Sequence, residues 1–126
     1  MQSLVNSVQL IGRLGSDGEV KTTNLGSKVS NVRLATQQFF KNRSGEWVQD
    51  TKWHSLVFWG KLAERLEKSA KKGTRIAVQG SLLQRSYMDS NDIEREVYEI
   101  RVNRFIVLEN VKPKNSSARS LEPQTA

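Results

Sequence analysis

Trp53, Ser55, Val57 and Trp59 share one face of an extended segment, because strand side chains alternate between faces, and two of these four residues are indoles. Two flat rings on a half-polar face offer a surface on which another planar π-system can stack. Core packing is the competing explanation, since large aromatics are usually buried. The opposite face carries His54, Leu56 and Phe58. Leu56 with Phe58 is the more apolar stripe, so the core is expected there and the tryptophans outside it. Catalytic chemistry finds little to work with. The chain has one histidine and no cysteine, so neither a nucleophile–histidine–acid triad nor a zinc site can be assembled. A magnesium-dependent nuclease using Asp89, Asp92 and Glu94 is the one enzymatic alternative. Those residues lie in a stretch that reads as a hairpin tip and lacks the glycine and downstream glutamate of a calcium loop. No enzyme activity, metal or cofactor is expected.

The segments that must position these rings follow from hydrophobic period and turn residues. A first strand is read over residues 4–14, with Gly12, Gly15 and Gly18 as bend and bulge glycines; their spacing does not match a dinucleotide fingerprint. After the turn Asn24-Leu25-Gly26-Ser27, Val32, Leu34 and Thr36 alternate in a second strand with Arg33 on the opposite face. Phe39 and Phe40 lead into a long hairpin with a mobile, positive tip over residues 41–46, and the chain re-enters a strand at Trp47. That strand ends at Gly60. Lys61 to Lys72 reads as a helix, with Leu62, Ala63, Leu66 and Ala70 on one stripe and Gly73 in the C-terminal capping place. Two more strands follow, residues 75–87 and 94–108, around the turn Asp89-Ser90-Asn91-Asp92. Three strands, one helix and two strands predict an all-β fold with one helix: a five-stranded OB-fold barrel, helix between strands 3 and 4, a fold that carries oligonucleotides on a sheet face and its loops.

Lysine and arginine number 20 against 13 acids, a net charge of +7, which permits nucleic-acid binding without establishing it. The charge is regional: residues 1–88 hold 14 basic and 6 acidic side chains, whereas Asp89, Asp92, Glu94, Glu96 and Glu99 crowd one short stretch. The length suits one domain, 1–111, followed by a short disordered tail, 112–126, which has no apolar period and holds both prolines. No leader or membrane-spanning run is apparent, so a soluble cytoplasmic protein is expected.

Specific residues then resemble a known family. Ser3-Leu4-Val5-Asn6, Gly12-Arg13-Leu14-Gly15 with Asp17 and Glu19-Val20, Leu34-Ala35-Thr36, Thr51-Lys52-Trp53-His54, Phe58 to Glu64, Lys71-Lys72-Gly73 and Gly80-Ser81-Leu82 resemble, in order over residues 3–108, the bacterial single-stranded DNA-binding proteins. The resemblance implies an OB fold that assembles as a homotetramer, wraps single-stranded DNA without sequence preference in replication, recombination and repair, and acts in the bacterial cytoplasm at the nucleoid. By position, it places base-stacking aromatics at Phe40, Trp53, Trp59 and Tyr87, and phosphate contacts at Lys41, Arg43, Lys61, Lys72 and Arg85. Arg33 is added from the strand reading. Ser55 stands where many relatives have arginine. His54 matches a residue that helps join subunits. Relatives usually end in an acidic tip that recruits replication and repair proteins; here the last fifteen residues hold one acid, Glu122, which leaves that recruitment in doubt. The alternative function is a dimeric primosome-accessory OB module bridging DNA and protein partners.

Overall fold

Six strands form in the computed structural model, which describes residues 4–110, and alternating apolar residues build the five long ones. The six are β1 (Val8–Leu14), β2 (Lys21–Thr22), β3 (Lys28–Lys41), β4 (Trp47–Trp59), β5 (Arg75–Met88) and β6 (Glu94–Glu109), with a helix, α1 (Lys61–Ser69), between β4 and β5. The sheet order is β1-β5-β6-β4-β3-β2, and β1 also pairs with β3 through Arg13–Ala35 and Leu14–Leu34. The two ends therefore meet, and β1, β3, β4, β6 and β5 close into the expected five-stranded barrel. Two-residue β2 stays outside as an edge against the start of β3. Closure removes the unpaired sheet edges that would otherwise invite aggregation. The seam between β4 and β6 runs parallel, at Leu56–Ile100 and Val57–Arg101.

Leu34, Leu56, Phe58, Leu66 and Ile76 are fully buried, and the rings of Phe58 and Phe105 meet edge to face at 5.3 Å. A nine-residue helix is too short to hold itself together in water. Burial of Ala63 and Leu66 against the barrel fixes α1 instead, and truncating a buried leucine to alanine costs about 2–5 kcal/mol. Gly12 lets β1 approach β3 at the closure: a Cβ there would lie 2.2 Å from the Ala35 carbonyl oxygen.

Two boundaries and one register differ from the sequence reading. The helix stops at Ser69, because Ala70 is extended (φ −141°, ψ 139°) and drops its methyl into the core. The Thr74 hydroxyl accepts from the Lys71 N–H (3.0 Å), and Gly73 (φ 92°) belongs to that turn, so it does not cap the helix. The first strand starts at Val8. Before it the Asn6 side chain replaces a ladder rung, donating to the Leu82 carbonyl (3.0 Å) and accepting from the Leu82 N–H (2.8 Å). In β6 the register slips: Gly80 pairs with Val102 but Gln79 with Arg104, leaving Asn103 as a bulge. Alternation inverts there, which is why Val102 and Phe105 both point inward. The tail read at 112–126 lies outside the described residues.

Candidate nucleic-acid interface

Strand alternation combined with register decides which side chains meet outside the barrel. Across β3 and β4, Trp59 stands opposite Val29, Ser55 opposite Arg33, and Trp53 opposite Ala35; their partners on the inner face, Leu34, Leu56 and Phe58, form the core. The parallel seam sets Arg101 beside Val57, and Arg101 pairs in turn with Ser81 of β5. Two and three alternations further along β5 come Arg85 and Tyr87. Trp53, Trp59 and Tyr87 thus lie on one continuous outward face with Arg33, Arg85 and Arg101. Trp53 is 50% exposed and Trp59 38%.

Trp53 is held from two sides. Its six-membered ring lies over Gly15, where a Cβ would come within 2.5 Å of Cζ3, and Gly15 is itself fixed by its N–H donating to the Arg33 carbonyl at 2.7 Å. The Arg33 guanidinium sits 5.3 Å from the ring centroid, a cation–π contact worth about 0.5–1 kcal/mol at an exposed site. Gly15 therefore does more than bend the chain: it makes room for an indole. Lys72 lies close by. Its N–H donates to Asp17 Oδ1 (2.7 Å), and the adjacent Gly73 N–H donates to the Leu14 carbonyl (2.8 Å) beside Gly15.

Trp59 lies at the other end of the face. Gly60, with φ 62°, turns the chain into α1 directly after it and donates its N–H to the Lys28 carbonyl (2.9 Å). Lys28, Trp59, Lys61 and Arg101 line one shallow depression. Lys28 is paired with Glu64 (3.3 Å), whereas no ion-pair partner of Lys61 or Arg101 occurs among the described residues.

Other expected site residues are placed differently. Phe40 pairs with Val48 and shares its strand face with Leu34 and Thr36, so it is exposed on the side away from Trp53; Phe39 is the phenylalanine on the tryptophan side. Arg85 donates through Nε to Glu99 Oε1 at 2.8 Å, a hydrogen bond and opposite charge that raise its pKa further, so this cation is already partnered. Lys41 is on the tryptophan face with its ammonium 6.0 Å from the Trp47 ring. Arg43 sits at the hairpin tip, a turn in which Asn42 Oδ1 accepts from the Glu46 N–H (2.9 Å) and Gly45 takes φ 82°. His54 lies on the inner side of β4, half-buried, with Nε2 2.9 Å from Thr36 Oγ1. Burial, and then the nearby Lys52 ammonium, lower its pKa from 6.5 and favour the neutral ring.

Two residues escaped the sequence reading. Trp47 lies three alternations before Trp53 on the same face and is 71% exposed; counting back by twos would have found it. Arg101 was legible as one of an alternating set, but only the parallel seam shows that this set faces the tryptophans. Among the described residues no group of three His, Cys, Asp or Glu side chains is placed to hold a metal ion, and no helix is long and apolar enough to cross a membrane.

Known proteins resemble both sequence and barrel. The single-stranded DNA-binding protein of Neisseria meningitidis serogroup A is 38% identical over 104 residues, 82% of this chain and 60% of that one. Single-stranded DNA-binding protein 1 of Chlorobaculum tepidum is 43% identical over 86 residues, 68% of this chain and 53% of that one. The chain thus spans little more than half the length of these relatives. The barrel superimposes on the Plasmodium falciparum SSB, solved in complex with ssDNA, with TM-score 0.78 at 31% identity, over 86% of this chain and 99% of that one. A deletion mutant of the single-stranded DNA binding protein from Thermus aquaticus gives TM-score 0.73 at 27% identity, over 83% and 51%. The profile of the single-strand binding protein family matches residues 5–108, and with this barrel beneath the match the chain belongs to that family.

Proposed function

We propose that this chain binds single-stranded DNA without sequence preference and protects it during replication, recombination and repair, acting as a homotetramer. The observation that carries the reading is the outward face on which Trp53, Trp59 and Tyr87 alternate with Arg33, Arg85 and Arg101. Unpaired bases expose flat faces, and each base stacked on an aromatic ring gains about 1–3 kcal/mol with little regard to its identity. Arg33 and Arg101 beside the rings neutralise phosphates and release counterions, whereas Arg85 is held by Glu99, so affinity falls by roughly 0.7 log units per log unit of salt for each phosphate neutralised. Duplex DNA hides its base faces and offers only phosphates. Competition between oligo-dT and a duplex of equal nucleotide content, at matched salt, tests this: strong preference for the single strand is expected, and equal binding would refute stacking.

Self-association is supported by a strip of exposed apolar side chains on the outer face of β1, β5 and β6, where Ile11 pairs with Ala77 and Ala77 with Ile106. Sedimentation equilibrium separates the readings. A tetramer agrees with the proposal, and a stable dimer would favour a primosome-accessory module bridging DNA and protein.

A further inference from the structure

The β5–β6 hairpin runs past the barrel wall as an arm with two unlike faces. Arg85, Tyr87 and Arg95 continue the face of Arg101, and both of the arm's cations there are already neutralised, Arg85 by Glu99 at 2.8 Å and Arg95 by Asp89 at 2.9 Å. The other face carries Leu82, Met88 and Tyr98 beside Glu94 and Glu96, with Met88 opposite Glu94. That face holds no cation, and neither Glu94 nor Glu96 has an ion-pair partner among the described residues. The Tyr98 hydroxyl donates to Glu96 Oε2 at 3.2 Å. Apolar surface accompanies the charge: Met88 is 61% exposed and Tyr98 54%. At the rise of a strand, Glu94, Glu96 and Tyr98 follow one another at about 7 Å along this face, two negative charges and then a planar ring.

The complement lies on the same molecule. From Val29 to Lys41 and from Trp47 to Trp59, the tryptophan face carries aromatics, Arg33 and Lys41 but no carboxylate, because Asp50, the one acid of β3 and β4, is on the other face and tied to Lys52 at 3.1 Å. The acidic face of the β5–β6 arm turns away from its own platform, so the two meet only between copies. We infer that this acidic face docks on the tryptophan platform of a second copy and there competes with single-stranded DNA. The inference rests on the single-strand reading above, and the contact is separate from the apolar strip of β1, β5 and β6. A contact between two different patches joins copies head to tail, into rings or open chains. Exposed ion pairs are weak and screened by salt, so the contact belongs to low ionic strength and yields to a strand that brings both phosphates and stacking bases.

Sedimentation velocity of the DNA-free full chain, at about 10 mM and about 0.5 M salt, tests this. At low salt the sedimentation coefficient is expected to rise with protein concentration, and at high salt, or once oligo-dT is added, to return to that of the unlinked assembly. Glu94→Gln combined with Glu96→Gln is expected to abolish the rise while binding oligo-dT at high salt as the parent does. With 5-fluorotryptophan in the chain, the fluorine resonances of Trp53 and Trp59 should move with protein concentration at low salt in the parent and stay still in the variant. No rise in the parent, with oligo-dT still bound, would overturn the arm contact and leave the single-strand reading standing. A rise that persists in the double variant, or under saturating oligo-dT, would put the contact elsewhere and overturn it too. If the parent stays unlinked yet binds oligo-lysine, and the variant does not, the face takes a foreign basic segment and the second-copy assignment falls. Failure to bind oligo-dT at either salt would overturn the single-strand reading, and the competition with it.

Discussion

Replacing Gly15 with alanine adds one methyl group, and the structure specifies where the strain goes. The new Cβ would lie 2.5 Å from Cζ3 and 3.2 Å from Cη2 of Trp53, and an ordinary 3.4 Å from the Arg33 carbonyl oxygen. Backbone is not in the way; the indole is. Carbon contacts are comfortable at about 3.5–4.0 Å, so the ring must swing by roughly 1 Å, at an off-rotamer cost of about 0.5–1.5 kcal/mol and with loss of a cation–π contact of about 0.5–1 kcal/mol. Removing a glycine from the unfolded chain returns about 0.4–1 kcal/mol. Folding stability is thus expected to fall by about 1 kcal/mol, and by no more than about 2 kcal/mol, with about 4–8 °C of melting temperature for each kcal/mol. Binding is different. A ring displaced by that distance no longer presents its face to the base, and up to about 1–3 kcal/mol, roughly 5- to 150-fold in Kd, is lost. Anisotropy titration of labelled oligo-dT in a double-mutant cycle with Trp53→Ala isolates the cause. Gly15→Ala should weaken the parent protein and add nothing to Trp53→Ala. Equal losses in both backgrounds would refute the claim that Gly15 acts through this ring.

Gly12→Ala, three residues earlier, is expected to behave in the opposite way, because its Cβ would meet the Ala35 carbonyl at 2.2 Å in the backbone that closes the barrel. A cost of about 3 kcal/mol and a melting temperature lowered by more than about 10 °C are expected, and a melt unchanged by calorimetry would contradict the close approach. Glu99→Gln releases Arg85 from its 2.8 Å partner, and the slope of log affinity on log salt should steepen by about 0.7 if the freed guanidinium reaches a phosphate; an unaltered slope means that it does not. His54 titrates below its ordinary 6.5 because burial, then Lys52, disfavour the charged ring, so on acidification the unfolded chain takes up its proton first. The stability it contributes is complete above pH 6.5 and is lost as pH falls through the folded value; thermal melts between about pH 8 and pH 5 should be flatter in His54→Gln, and identical profiles would exclude this residue as the source.

The barrel was legible because period-two stripes such as Val32-Leu34 and Leu56-Phe58 leave one sensible inside, and because the hairpins and the helix punctuate them in the order an OB fold needs. Trp53 and Trp59 were placed outside by the same reasoning, since a better core stripe lay on the opposite face. What could not be read is set by partners distant in sequence. The Asn103 bulge, which turns Phe105 inward, answers to the slip between Gln79 and Gly80. Ala70 leaves the helix for a place in the core. Phe40 shows what pairing adds to a match by position: it stands on the strand face away from Trp53, while Phe39 and Trp47 share the face of Trp53.

The short parallel seam predicts an order of assembly for this fold. β3 with β4, and β5 with β6, are hairpins that pair along nearly their whole lengths through local contacts, whereas the Leu56–Ile100 and Val57–Arg101 rungs join segments more than forty residues apart. Local hairpins form quickly and distant closures slowly, so the two arms are expected to form before the barrel shuts, and the seam is expected to yield first on partial opening. In native-state amide exchange the β4–β6 rungs should therefore open at lower free energy than the β3–β4 ladder at Leu34 and His54. Uniform protection across both would show instead that the barrel opens as one unit.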